Sequence, residues 1–207
     1  MISFIYFDVG GVAMHDFSGT NNWELLKKGM GVTATNNMAW ENVWSKYKNK
    51  VCVDRDVDTL VPLFREAGFN LPTSYSLLDS FINLFEMNPD IEPVVERAIH
   101  HYRVGLLTNM YPRMLPKLFE RKLLLPIETW EIIIDSSVVG LQKPDKKIFE
   151  LAQQKAGVNA DEILFVENTS EHLQAAKDFG WKTFAYDPQT AKESSRQLMN
   201  VLNKNNF

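Results

Sequence analysis

Residues 2–8, Ile-Ser-Phe-Ile-Tyr-Phe-Asp, constrain this chain more than any other stretch, because they run almost without a polar residue into a single carboxylate. A half-buried strand alternates apolar and polar side chains. A continuous apolar run instead suits a strand covered on both faces, the condition of a parallel sheet. Gly10 and Gly11 follow Asp8 and let the backbone turn away without a side chain in its path. Open α/β sheets bind ligands outside the carboxyl ends of their strands, which places Asp8 at such a crevice. Taken alone, Asp-x-Gly-Gly reads first as a capped turn, and its weight depends on what lies downstream.

Residues 15–88 contain four segments with apolar residues at three-and-four spacing, at 23–30, 38–48, 57–67 and 75–87, and no evident strand. Gly31, Gly68 and Pro72 separate them. From Asn88-Pro89 onward the pattern alternates. Helices are expected at 91–101, 111–121, 145–156, 171–179 and 190–202, and strands at 104–107, 131–134, 163–166 and 182–186. Strands alternating with helices predict an α/β fold, a doubly wound, Rossmann-like parallel sheet with right-handed crossovers. The core then comprises residues 1–14 and 89–207, interrupted by an all-helical cap at 15–88, and 207 residues leave room for one core with a modest insert.

The formal net charge of −4, with no basic run, argues against a nucleic-acid or anionic-membrane surface. No apolar run approaches the roughly 18–20 residues of a membrane helix. Cys52 is the only cysteine, which leaves no intramolecular disulfide and points to a reducing compartment and an inert thiol. The start Met-Ile-Ser-Phe-Ile has no basic region and no cleavage site, so a cytoplasmic location is expected.

Polar side chains recur at the expected strand ends: Asp8, Thr108-Asn109 and Glu167-Asn168, with Lys143 in the loop Gly140-Leu141-Gln142-Lys143-Pro144-Asp145. An aspartate nucleophile, a hydroxyl and amide to hold an oxyanion, a lysine to neutralise charge and an acidic pair to seat a cation are the parts phosphoryl transfer requires. With these residues the chain resembles the haloacid dehalogenase superfamily, over residues 2–14 and from 91 to about 188, most specifically in Gly-Leu-Gln-Lys-Pro-Asp-Lys-Lys-Ile-Phe-Glu. The resemblance implies that Asp8 attacks phosphorus and becomes an aspartyl phosphate. It implies that Thr108 and the backbone amide of Asn109 hold the transferring oxygens, and that Lys143 stabilises the developing charge. Mg2+ would be seated by Asp8, the Gly10 carbonyl, Glu167 and Asn168, and the cap at 15–88 would select a small phosphorylated substrate, such as a sugar phosphate.

Two positions depart from the family pattern. Gly10 stands where most phosphatase relatives carry a second aspartate for acid–base work, a function worth roughly 10²- to 10⁴-fold. A slow enzyme is expected, with His15 or a water in its place, and Gly10→Asp is expected to raise turnover of substrates with poor leaving groups. Asn168 replaces a carboxylate, which implies weaker metal binding. Two alternatives remain open: carbon–halogen hydrolysis without metal, and a degenerate member that only binds a ligand. Glu167 argues against the first, as does the lack of a cap arginine soon after Asp8, since Arg55 and Arg65 are the only arginines in 15–88. The tryptophans Trp23, Trp40 and Trp44 read as packing, and Tyr111 and Arg113 lie near enough to Asn109 to reach the pocket.

Overall fold

The computed structural model describes residues 1–53 and 55–204. Strand β1 (Phe4–Phe7) is fully buried along its length. Among the described residues it forms the centre of a five-stranded sheet with β4 (Arg103–Thr108), β5 (Ile132–Asp135), β6 (Ile163–Glu167) and β7 (Lys182–Ala185), in the order β5-β4-β1-β6-β7. Every pairing in it is parallel, with Phe7 level with Leu106 on one side and Val166 on the other. The chain adds β4 and β5 to one side of β1 and then crosses to add β6 and β7 to the other. β1 therefore lies at the topological switch point, where the loops at the strand ends diverge and leave a crevice.

The apolar run of β1 is continuous because two separate cores need it. Ile5 and Phe7 pack into one, against Val94, Val95 and Ala98 of α5 (Glu92–Ile99), Leu118 of α6 (Met114–Glu120) and Leu198 of α10 (Ala191–Lys204). Phe4 and Tyr6 pack into the other, against Ile148, Phe149 and Ala152 of α8 (Lys146–Ala156) and Ala176 of α9 (Ser170–Asp178). Helices on both faces close the sheet from water, and each large apolar side chain so buried stabilises the fold by about 1.5–3 kcal/mol. Among the described residues no helix is long and apolar enough to cross a membrane.

Between β1 and α5 the chain forms α1 (Asn22–Gly29), α2 (Asn37–Tyr47), a 3-10 turn at Val57–Leu60, α3 (Val61–Glu66) and α4 (Leu77–Ile82). Trp23, Trp40 and Trp44 meet ring to ring, with Trp40 against Phe64 and Trp23 stacked on Phe17 at 4.1 Å, as a packing role predicts. The expected helix over 75–87 is shorter. The Ser76 hydroxyl caps it by accepting from the Asp79 backbone N–H, it ends at Ile82, and the chain then extends as β3 (Glu86–Met87). β3 pairs antiparallel with β2 (Met14–His15), so a two-residue ladder joins the strands entering and leaving this segment, and the segment is not purely helical.

One face of α6 meets the inserted segment through charge. Arg113, Lys117 and Arg121, spaced four apart, fall on one side of the helix. Arg113 donates to Asp56 and, at 2.8 Å, to Asp58; Lys117 reaches Asp79 at 2.6 Å; Arg121 donates to Asn83. Arg113 is half exposed, so each pair contributes less than about 1 kcal/mol.

Gly105 in β4 sits where a Cβ would meet the Ile132 carbonyl oxygen at 2.6 Å and the rings of Tyr6 and Phe4 at 3.0 and 3.1 Å. The two rings lie across the sheet only because that side chain is missing. We predict that Gly105→Ala lowers stability by about 1–3 kcal/mol through overpacking against backbone that cannot yield. Denaturant unfolding would check this, and an unchanged midpoint would refute it.

Candidate active site

Asp8 follows β1 directly, and its backbone N–H donates to the Val166 carbonyl at 2.9 Å, which continues the β1–β6 ladder one residue past the strand. The side chain is therefore held at the carboxyl end of the central strand. Its Oδ1 lies 2.9 Å from Lys143 Nζ. Lys143 is buried, with Nζ also 2.6 Å from Glu167 Oε2 and 3.0 Å from the Leu107 carbonyl, and it lies over the Phe165 ring. A single ammonium thus ties the ends of β1, β4 and β6. The loop carrying it is clamped by Asn109, whose carboxamide donates to the Lys143 carbonyl and accepts from the Lys143 N–H, both at 2.8 Å.

Glu167, expected to seat a cation, presents nothing to the crevice. It is 0% exposed. Oε1 accepts from the N–H groups of Asn168 and Thr169, each at 2.9 Å, while Oε2 faces Lys143 and, at 3.1 Å, His172 Nδ1. All its acceptor directions are in use, so its work here is to hold Lys143 and the β6–α9 turn. Among the described residues no group of three or more His, Cys, Asp and Glu side chains is placed to hold a metal.

Asp8, Gly10, Thr108, Asn109, Lys143 and Asn168 all line one cavity of about 150 Å³. Asp16, Ser18, Thr169 and His172 share it, and Met14, Phe17, Phe85, Met110, Tyr111 and Met114 form its apolar side. Tyr111 reaches the pocket as its position suggested; Arg113 does not, being held by Asp56 and Asp58. His15 lies elsewhere, in a groove with Asp90 and Pro188, so it cannot stand in for the missing aspartate. Neither does an arginine of the insert line the cavity: Arg55 stacks on Tyr47, and Arg65 donates to the carbonyls of Leu71 and Pro72.

The two glycines after Asp8 serve different ends. Gly11 has φ of 77°, which favours glycine, and a Cβ there would lie 3.0 Å from Asn168 Cγ. Gly10 has no positive φ. Its missing side chain is replaced in space by Asp16: a Cβ at Gly10 would fall inside contact distance of Asp16 Oδ2 and 3.1 Å from its Cγ. Asp16 Oδ1 accepts from the Ser18 N–H at 2.7 Å, so the carboxylate is fixed by its own turn. Gly10→Asp therefore would not fill a vacant place, and the expected simple gain in turnover does not follow. Nothing local in the sequence marks Asp16, eight residues past Asp8, as a neighbour of position 10. His172, at the start of a helix in sequence, likewise gave no sign of its contact with Glu167.

Burial raises the Asp8 carboxyl to about 7; the neighbouring Glu167 charge adds to this and Lys143 opposes it. For Glu167, burial alone would act the same way. Lys143 and His172 outweigh it and hold the group well below the usual carboxylate range. The asymmetry has a plain cause, since His172 faces Glu167 and Lys143 lies closer to Glu167, at 2.6 Å, than to Asp8, at 2.9 Å. Burial would lower Lys143, but its two carboxylates hold it above its ordinary value and charged. Asp16 is raised by burial against the pull of Ser18. For Cys52, burial pushes the thiol to about 12, in keeping with an inert side chain.

A family model for haloacid dehalogenase-like hydrolases matches residues 56–180. The chain is 26% identical over 212 residues to acyl-CoA dehydrogenase family member 10 of Mus musculus, covering 94% of this chain and 19% of that protein. It is 24% identical over 121 residues to (S)-2-haloacid dehalogenase of a Pseudomonas species, strain YL, covering 58% of this chain and 51% of that one. It thus spans about a fifth and about half of the lengths of these two relatives. Among solved structures, a HAD family enzyme of Bacteroides thetaiotaomicron superposes with a TM-score of 0.74 at 16% identity, over 89% of this chain and 93% of that one. The same enzyme has been crystallised with magnesium and inorganic phosphate.

The buried ion cluster yields a stability prediction. Lys143→Met leaves Asp8 and Glu167 facing each other without a cation, and removing one partner of a buried pair costs about 3–5 kcal/mol. Protonating a carboxyl relieves the repulsion, so the loss measured by denaturant unfolding should be smaller at acid pH than at neutral pH. Equal losses at both would show that the charge cluster does not set the cost.

Proposed function

The chain belongs to the haloacid dehalogenase-like hydrolases, and from that premise we propose that it is a Mg2+-assisted phosphatase of a small phosphorylated metabolite. One observation carries the choice of phosphorus over carbon–halogen chemistry: the cavity is lined by the Asp8 carboxylate and the Asn168 carboxamide, and among the described residues no arginine lines it. Such a set suits a hard cation, and with Lys143 already shared between Asp8 and Glu167 it offers the free carboxylate of a haloacid no arginine to pair with.

Asp8 supplies the nucleophile, and one oxygen of its carboxylate is held 2.9 Å from Lys143 Nζ at the cavity wall. The Thr108 hydroxyl, with the Asn109 backbone N–H, holds the oxygens of the transferring group. Lys143 neutralises the charge that builds there, and Asn109 keeps Lys143 in place through its paired backbone bonds. Asp8 and Asn168 offer the hard oxygen donors that Mg2+ takes, a smaller protein set than the sequence suggested because Glu167 is withdrawn; Mg2+ commonly keeps several waters. Bound there, the ion would offset the negative charge of the phosphoryl oxygens. The segment at 15–88 acts as a cap, a role supported by Phe17 and Phe85, near its two ends, lining the cavity. A cavity of about 150 Å³ suits a small substrate.

We predict that the protein hydrolyses 4-nitrophenyl phosphate in the presence of Mg2+ and forms an acyl phosphate on Asp8. The Asp8→Asn variant should fold normally and lose at least about 10³-fold in turnover, because the amide is not a nucleophile. Retention of turnover in that variant, or halide release from a 2-haloacid without Mg2+, would overturn the reading.

A further inference from the structure

Position 10 lacks a side chain, yet the place where one would stand is filled. The carboxylate of Asp16 arrives there from the other side of the turn, with Oδ2 against Gly10 and Oδ1 anchored on the Ser18 N–H at 2.7 Å. Its main chain is also tied down, since the Asp16 carbonyl accepts from the Thr20 hydroxyl at 2.6 Å and from the Asn22 carboxamide at 2.7 Å. That carboxamide also donates to the Leu84 carbonyl at 2.8 Å, next to the strand that leads out of the insert. Asp16 is thus a braced side chain, and it shares the cavity with Asp8, Thr108 and Lys143.

From this exchange of places, and resting on the phosphatase reading, we propose that Asp16 is the acid–base residue of the reaction. In the first half, an Asp8 oxygen bonds to phosphorus and the bond from phosphorus to the leaving oxygen breaks. The electron pair goes to that oxygen, which takes the Asp16 proton and departs as an alcohol. In the second half, Asp16 takes a proton from water as the water oxygen bonds to phosphorus. The bond from phosphorus to Asp8 breaks, its electron pair returns to the carboxylate, inorganic phosphate leaves, and Asp16 is again protonated. Gly10 follows from this arrangement, since a side chain there would compete with Asp16 for one volume. With Asp16 in that place, the glycine does not entail a slow enzyme.

Two measurements test the assignment. In the first, Asp16→Asn keeps an oxygen acceptor for Ser18 but cannot exchange the proton. With 4-nitrophenyl phosphate, whose leaving group needs little protonation, it should release about one nitrophenolate per protein in a burst and then turn over slowly. With an alkyl phosphate it should show no burst, and kcat/KM should fall about 10²-fold or more. Mass spectrometry should find the acyl phosphate on Asp8 accumulating only with the aryl ester. In the second, Gly10→Asp should lower the melting temperature of the wild-type protein but not of the Asp16→Gly variant, and the double variant should recover alkyl phosphate turnover. Equal proportional losses on both esters with no burst would leave Asp16 a merely structural turn residue and overturn the inference. Wild-type protein that forms no acyl phosphate at Asp8 would instead sink the phosphatase reading, and the inference would fall with it.

Discussion

The site depends on one buried ammonium shared between two carboxylates. Removing Lys143, Asp8 and Glu167 from water costs several kcal/mol per ion, and only close mutual contact with further hydrogen bonds offsets it. Those further bonds are present: two backbone N–H groups and His172 on Glu167, the Leu107 carbonyl on Lys143. The cluster therefore does more than neutralise charge. It fixes the relative position of three strand ends and of the loop before α8, so that the Asp8 carboxylate is oriented by the same contacts that make its burial tolerable.

Much of the fold was legible because its physics is local. The unbroken apolar run of β1 announces a strand covered on both faces, and the two cores that it separates are the reason. The alternation of helix and strand after Asn88 follows from side-chain period alone, and observed boundaries differ from the expected ones by only a few residues. The β2–β3 ladder was not legible, because two residues are too short to show a period and Phe85, just before β3, continues the apolar spacing of the helix that precedes it.

In the site, residue types were legible and their partners were not. Asp8, Thr108, Asn109, Lys143 and Asn168 come together as the strand ends required. Glu167 carries the right charge at the right strand end, but whether a carboxylate faces a cavity or a neighbouring lysine depends on side-chain direction, which spacing does not encode. The relation of Asp16 to Gly10 is of the same kind. It is a matter of shared volume between residues on opposite sides of a turn, and a sequence records the absence at one without the presence at the other.

The ion-pair seam between α6 and the insert has the opposite character to the Lys143 cluster, since its charges are partly exposed. Its pairs are Arg113 with Asp56 and Asp58, and Lys117 with Asp79. Dissolved salt, with a screening length of about 8 Å at physiological ionic strength, weakens such pairs, whereas a buried cluster is screened much less. Ionic strength thus divides the molecule into two regimes: the exposed seam along α6 answers to the surrounding electrolyte, and the buried cluster around Lys143 answers far less.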